Sequence, residues 1–493
     1  MRGARARQLM PRRAVLALGA ICALAAALRF ATLDGQSLWF DESVTAQLMR
    51  LDFWGLIKEI PSSESTPPLY YALAWPWTHV FGTSEPGLRS LSALFGLATV
   101  PVVWALGKRL AGDVGGLLAA LLTAVNPMLV WFSQEARSYA LLALLTTLGT
   151  LLWLQALDAP ARGRLLAWGV VSALALATHY FALYVVAPQA IWLVFRLNGS
   201  STRLAALALP VASAAALLPL GLEQRGNDNA TFIGDRPLLT RIEQIPKQYL
   251  TGYDAPAEVL LSVIAAVAIA AALAGAVLLM RRGAPTSADA RWVAVIIACA
   301  VLLPLVGSLA GEDQLLARNT IAALPLVLAL AGAGLAAVRV VPRALAALAA
   351  CTSGLVTVVG VASDAQLQRD DWRGAAHALG PITAPRVVSA PAAAIIPLRY
   401  YLPRTQELTS GQALVAELDY LAIAEVKEQG RVAPARHATA PAVPAGFTLK
   451  QRVFGKTFTV LRLTAAKPIS VPPTGVSTDL NGNPATVLLV ARR

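Results

Sequence analysis

The sequence predicts a mainly α-helical polytopic membrane protein of about 11 spans, with a small external α/β domain at its C-terminal end. Three observations carry that prediction. Of its 493 residues 56% are hydrophobic and only 14% charged, whereas a soluble domain is about a quarter charged. Apolar runs long enough to cross a bilayer recur as far as residue 362. Beyond residue 363 hydropathy falls and strand-like alternation sets in.

The first run, residues 14–33, follows the basic opening "MRGARARQLMPRR". Its length of about 20 residues suits a retained spanning helix better than a cleaved signal segment, although small residues follow it. Ten more runs fall at 90–107, 114–132, 139–157, 165–179, 180–196, 204–221, 257–280, 292–310, 316–338 and 344–362. Basic residues test the orientation. Arg2 to Arg13, Lys108 with Arg109, Arg162 with Arg164, Arg196 with Arg203, Arg281 with Arg282 and Arg291, and Arg339 with Arg343 occupy alternate loops. By the positive-inside rule the N-terminus is then cytoplasmic and the C-terminus external. The segment "PPLYYALAWPWTHVFG", 67–82, is short, aromatic-rich and interrupted by Pro76, and counting it as a span would break that alternation. It reads as a helix in the outer interface, where Trp and Tyr are favoured.

Two domains follow from this: 1–362 in the membrane, with external loops at 34–88 and 222–256, and 363–493 outside. In the external domain "DDWRGAAHAL" predicts a helix, "RVVSA" and "LDYLAIAEV" strands, and "FTLKQRVFGKTFTVLRLTA" a hairpin turning at Gly455-Lys456. A Pro- and Ala-rich linker lies near 433–446, and no internal repeat is visible.

The formal charge of +13 would suggest nucleic-acid binding in a soluble protein, but here much of the Arg sits in short loops, so membrane topology accounts for it. Cys22, Cys299 and Cys351 lie far apart inside apolar runs, which argues for inert thiols and against disulfides or a zinc site. "GKRLAGDVGG" lacks the GxxxxGK[ST] spacing of a phosphate loop.

On the outer side the predicted topology gathers acids and bases. The first loop supplies Asp34, Asp41, Glu42 and Glu64; Arg89 begins the second span; "SQEARSYAL" places Glu135, Arg137 and Tyr139 at a turn; His179 and Glu312, Asp313, Arg318 and Asn319 follow at later turns. Ionisable groups at the hydrocarbon boundary are costly and tend to pair or to face a polar cavity. An Arg there can instead snorkel, and a lone His is commonly a satisfied interfacial residue. The pair Asp41-Glu42 in "SLWFDES" admits two readings: Asp41 as N-cap of a helix "ESVTAQLMR", or a carboxylate held by Trp39 and Phe40 at a partly desolvated interface as a base.

In order along the chain, "LWFDESVTA", "STPPLYYALAWPW…FGTSEPGLRSLSALFGLATVPVVWALGKRLAG", "NPMLVWFSQEARSYAL" and "THYFALYVV", with the later "LLARNTIAALPLVLALAGAG" and "DDWRGAA", resemble the membrane glycosyltransferases of the GT-C superfamily. The nearest branch by resemblance is that of bacterial protein O-mannosyltransferases and lipid A aminoarabinose transferases. It covers roughly residues 28–375. The resemblance implies transfer of a monosaccharide from a polyprenyl-phosphate donor to an acceptor hydroxyl outside the cell membrane. It implies Asp41 as the catalytic carboxylate with Glu42 as its paired acid, Arg89, Arg137 and Arg318 toward the donor phosphate, and Glu64, Glu135, Tyr139 and His179 in support. Many bacterial relatives carry His before "PPLYY" where this chain has Thr66, so no metal site is carried over and a divalent cation is left open. With Asp41 as general base the reaction would invert the anomeric carbon. The acceptor is a protein, a lipid or a glycan; the donor sugar is undetermined, with mannose and arabinose types the first choices. A transporter or flippase is the alternative, but it should carry inverted repeats or broken helices at mid-membrane rather than charges at the outer boundary.

Overall fold

The computed structural model describes residues 12–196, 201–227, 233–282, 285–382, 384–427, 430–432, 443–480 and 484–490. The basic opening to residue 11, positions 228–232 of the second external loop and most of the linker (433–442) lie outside the described residues. The helices are α1 (Arg12–Phe30), α2 (Phe40–Leu48), α3 (Phe53–Ser63), α4 (Leu69–Phe81), α5 (Glu85–Val125), α6 (Pro127–Ser133), α7 (Tyr139–Asp158), α8 (Arg162–Thr178), α9 (Leu183–Arg196), α10 (Ser201–Arg225), α11 (Leu238–Thr251), α12 (Glu258–Arg281), α13 (Pro285–Leu309), α14 (Leu324–Ala337), α15 (Val340–Ser363), α16 (Trp372–Leu379) and α17 (Ile395–Tyr401). Contacts divide the chain into two units: residues 1–33 with 51–360, and residues 34–50 with 361–493.

In the first unit every apolar run of the sequence falls on helix. Among the described residues eight helices are long and apolar enough to cross a membrane. One of these, α5, is two helices joined at Ala111 and Gly112, and only a glycine takes the φ of 72° found at Gly112 without strain. The break lies in "GKRLAGDVGG", where the sequence places a cytoplasmic turn. By contrast α8 and α9 are short, 17 and 14 residues.

The unit is built inside out relative to a soluble protein. Leu204, Val211, Val259, Val267, Val341 and Leu345 are exposed on α10, α12 and α15, while α14 is buried along its length against α5 and α12. Small residues permit that approach: a Cβ on Gly334 would stand 1.9 Å from the carbonyl oxygen of Ala272. Buried polar groups bind the helices from within. The fully buried Arg29 guanidinium donates to Ser133 Oγ at 3.2 Å, Ala124 O at 2.9 Å and Thr123 O at 3.2 Å, capping carbonyls that the helix end leaves open. Gln189 Nε2 donates to Thr150 Oγ1 at 2.9 Å, and its Oε1 accepts from Trp168 Nε1 at 2.8 Å.

The second unit is a six-stranded sheet in the order β2-β8-β1-β3-β7-β6, built from β1 (Arg386–Pro391), β2 (Thr405–Glu407), β3 (Ala413–Ile423), β6 (Thr448–Phe454), β7 (Phe458–Val471) and β8 (Ala485–Val490). A separate short pair is formed by β4 (Glu425–Lys427) and β5 (Gly430–Val432). Only β1 and β3 run parallel; β6 and β7 form the hairpin that the sequence predicts. On one face Trp372, Leu379 and Leu398 of α16 and α17 close over Leu421, Val460 and Leu488; on the other Leu418, Tyr420 and Leu463 pack beneath Phe447 and Val476.

Candidate active site

The residues named by the sequence divide between the two units. Asp41 and Glu42 belong to the second unit, and Glu64, Arg89, Glu135, Arg137, Tyr139, His179 and Arg318 to the first. Each is described within its own unit.

In the first unit, "QEARS" interrupts the helices between α6 and α7, and a tight turn closed by Arg137 N donating to Glu135 O at 2.8 Å lets two residues two apart leave the helical pattern. Gln134 fixes this break by donating through Nε2 to Leu28 O at 3.0 Å, Arg29 O at 3.2 Å and Thr32 Oγ1 at 2.9 Å. Arg137, 7% exposed, then meets Glu64, 2% exposed: Nη1 stands 2.8 Å from Oε1 and 2.7 Å from Oε2. The guanidinium lies 5.8 Å from the centroid of the Tyr71 ring. The Tyr71 hydroxyl is 3.2 Å from Thr66 Oγ1. Burial pushes the Tyr71 phenol well above its usual range; the Arg137 charge opposes that shift and the Glu64 charge adds to it.

Tyr139 opens α7 with its ring 5.6 Å from the His179 ring. His179 is buried, accepts from Phe181 N at 3.3 Å through Nδ1, and feels the charges of both Arg137 and Arg318. Glu135 is buried as well. The first unit therefore links Arg137 to Glu64, and His179 to Tyr139 by ring contact and to Arg137 and Arg318 by charge. Arg89 is fully buried and donates to Leu33 O at 2.8 Å, which gives it a structural contact that the sequence does not suggest.

Arg318 also lines a small pocket with Arg236, Arg241, Gln244, Gln248 and Tyr253. Arg241, 5% exposed, donates through Nη2 to Asp313 Oδ1 at 2.6 Å, while its Nε and Nη1 have no hydrogen-bond partner. On α11 the next residue after Gln248 turns away from this pocket: Tyr249 and Leu250 line a small, mainly apolar cavity with Ala265, Leu324, Leu328 and Gly354. Tyr71, Arg236 and Arg241 escape the sequence reading. For Arg241 a signal exists, since Arg241, Gln244 and Gln248 repeat at helical spacing on one polar stripe of an amphipathic helix.

In the second unit Asp41 and Glu42 occupy the first turn of α2, where the helix dipole favours acidic side chains. The expectation of Asp41 as N-cap is corrected. Trp39 holds the cap position with extended backbone and no side-chain cap bond, because the helix already begins at Phe40. Glu42 is fully buried and Asp41 half-buried. Among the described residues no three His, Cys, Asp or Glu side chains gather as a metal cluster.

Residues 65–220 match the family described as dolichyl-phosphate-mannose-protein mannosyltransferase. ArnT from Cupriavidus metallidurans, crystallised with undecaprenyl phosphate, aligns with a TM-score of 0.50 at 14% identity, covering 78% of this chain and 84% of that one. The chain has the GT-C fold. The matched segment, about a third of the chain, is similar to that family and contains Thr66, Arg89, Glu135, Arg137 and His179. The Archaeoglobus fulgidus oligosaccharyltransferase, solved with zinc and sulfate, aligns at 16% identity and TM-score 0.46 over 74% of this chain and 55% of its own. Arabinosyltransferase EmbB of Mycobacterium smegmatis aligns at 12% identity and TM-score 0.46 over 90% of this chain and 48% of its own. The chain thus spans about half the length of these two proteins. No curated protein matches it by sequence.

Proposed function

We propose that this chain is a multi-pass membrane glycosyltransferase that moves a monosaccharide from a polyprenyl-phosphate donor to an acceptor hydroxyl on the outer face of the cell membrane, inverting the anomeric carbon. The observation that carries the reading is the pairing of two cavities across α11. One is walled by Arg236, Arg241 and Arg318 and the other is apolar. A polyprenyl-phosphate sugar has the same two chemistries, an anionic phosphodiester, which gains a second charge as polyprenyl phosphate leaves, and a hydrocarbon tail. The family match of residues 65–220 and the undecaprenyl phosphate bound to ArnT support the same donor class.

In this reading Arg137, with Arg89 or Arg318, neutralises the phosphate as the bond from the anomeric carbon to the phosphate oxygen breaks, and the unused donors of Arg241 add to it, because guanidinium forks suit phosphate oxygens. Asp41 accepts the proton of the acceptor hydroxyl as its oxygen attacks the opposite side of that carbon, with Glu42 beside it. Polyprenyl phosphate leaves, and the proton rests on Asp41. The acceptor class and the choice between hexose and pentose are set by contacts to the sugar and acceptor.

A general base contributes roughly 10²–10⁴-fold, so Asp41→Asn is expected to slow turnover by that factor while donor binding persists. The test uses purified protein in liposomes with radiolabelled undecaprenyl-phosphate-linked mannose, aminoarabinose and related sugars, crude envelope acceptors, and release of polyprenyl phosphate as readout. Sugar-dependent release abolished by Asp41→Asn supports the reading. Release that survives in Asp41→Asn removes the base assignment, and no release with any donor removes the transferase.

A further inference from the structure

The acidic helix α2 is only nine residues long, and a helix of that length is marginal by itself in water. Its direction must be imposed by what surrounds it. Within the second unit, residues 34–50 are fastened on both sides of the helix. Ahead of it, the buried Ser37 hydroxyl donates to Asp370 O at 2.6 Å and accepts from Trp372 N at 3.1 Å. Leu38 N donates to the Tyr401 hydroxyl at 2.7 Å, and Arg369 N donates to Gln36 Oε1 at 3.1 Å. Behind it, Gln47 Nε2 donates to Ile396 O at 3.4 Å and the Arg50 guanidinium lies 5.4 Å above the Tyr400 ring.

These partners come from two short stretches, residues 369–372 at the start of α16 and residues 396–401 of α17, both packed on the sheet. A loop that is merely tethered needs one attachment. This one is held at Gln36, Ser37 and Leu38 ahead of the helix and again at Gln47 and Arg50, so the segment that carries Asp41 is fastened at both ends. The Ser37 hydroxyl bridges Asp370 O and Trp372 N at the start of α16, two groups that also bond to each other at 3.0 Å, so it ties residues 34–50 to that turn through both of its backbone groups.

We propose that the C-terminal sheet unit serves the reaction by aiming Asp41, with Ser37 and Tyr401 as positioning residues; this rests on the reading of Asp41 as base. The function of the C-terminal unit is then to orient the carboxylate, and its own sequence is constrained where it meets residues 34–50. A misplacement of about 1 Å costs up to roughly 10²-fold in rate. Loosening the clamp therefore lowers kcat and leaves the donor KM in place.

Tyr401→Phe keeps the ring and deletes the hydroxyl that accepts from Leu38 N; Ser37→Ala deletes the bridge and Ser37→Thr retains it. In the liposome assay, with whichever undecaprenyl-phosphate-linked sugar supports turnover, Tyr401→Phe and Ser37→Ala are expected to lower kcat about 10-fold or more with donor KM and melting temperature unchanged, and Ser37→Thr to restore it. Amide hydrogen exchange at residues 38–48 should rise in both deletions while exchange in β3 and β7 stays as in wild type, a readout that needs no substrate. Wild-type kcat and exchange in Tyr401→Phe and Ser37→Ala, beside an inactive Asp41→Asn, would overturn the positioning role and leave the base standing. An active Asp41→Asn would remove both. If Tyr401→Phe lowers the melting temperature, the Ser37→Ala and Ser37→Thr pair decides.

Discussion

The two units each bury a knot of charge, and the knots differ in how far they are closed. In the sheet unit, the fully buried Asp419 has both oxygens engaged, Oδ2 with Arg386 Nη1 at 3.1 Å and Oδ1 with Arg462 Nε at 3.0 Å. Glu417 joins the same two arginines at 2.6 and 3.0 Å, and further donors reach Pro381 O at 2.7 Å and Leu379 O, which leaves one nitrogen, Arg386 Nε, without a hydrogen-bond partner. In the first unit, Arg137 is matched by Glu64, but Arg241 sits as deeply with two nitrogens unspent and a pocket in front of it. Closed charge holds a fold together, whereas donors left open at the wall of a cavity hold a place for an anion. The two knots are therefore expected to fail in different assays.

The largest effect should fall on the closed knot. Removing one partner of a buried pair leaves an uncompensated charge and costs about 3–5 kcal/mol. Arg386→Ala strips Asp419 and Glu417 of a shared partner and should destabilise the sheet unit by that amount in chemical denaturation followed by tryptophan fluorescence. A loss below about 1 kcal/mol would mean that Arg462 alone closes the knot, and the contrast with the first unit would disappear.

Arg241→Gln tests the open knot. Its ion pair is with Asp313, which is nearly half exposed, so breaking it should cost little stability. Hydrogen bonds to a charged group are worth about 1.5–3 kcal/mol, which translates to a rise of roughly 10-fold to 100-fold in donor KM or in the Kd for undecaprenyl phosphate. A variant that melts early but binds the lipid phosphate normally would make Arg241 a structural residue like Arg386.

The contrast also explains what the sequence could and could not disclose. Membrane helices are legible because each is a continuous apolar run, and the hairpin of β6 and β7 because it alternates around Gly455-Lys456. Glu64 stands out as an acid in the predicted first loop and Arg137 as a charge at a predicted turn between spans, but 73 positions separate them, and only packing decides that they pair. Tyr71 hides among interfacial aromatics whose common role is to sit at a membrane surface. Arg241 hides in a loop, although the stripe it forms with Gln244 and Gln248 is a helical signal. Asp41 was legible as an acid needing an explanation, but its place in the helix was not, since Trp39 starts the helix without a capping side chain. Least legible is that residues 34–50 fold with a sheet more than three hundred positions away; nothing local in "SLWFDES" records that Ser37 will bridge Asp370 and Trp372.

The smallest effect separates the knots by pH. Burial is the main cause that lifts the Asp419 carboxyl from its ordinary 3.8 to about 6; the Arg462 charge opposes the lift, the Glu417 charge adds to it and the Arg386 charge opposes it. A carboxyl whose folded value lies above its unfolded one binds its proton more tightly when folded. Its stabilising contribution is then complete below pH 3.8 and is lost as pH rises through about 6. Between pH 5 and pH 7 the sheet unit should lose about 1 kcal/mol of stability from this residue. Asp419→Asn cannot titrate, so the difference between wild type and variant in denaturation midpoints across that range isolates the contribution from every other group. A parallel slope in both proteins would mean that groups other than Asp419 carry the pH dependence. A slope confined to wild type fixes the proton on Asp419, the one carboxyl of the knot that is wholly enclosed.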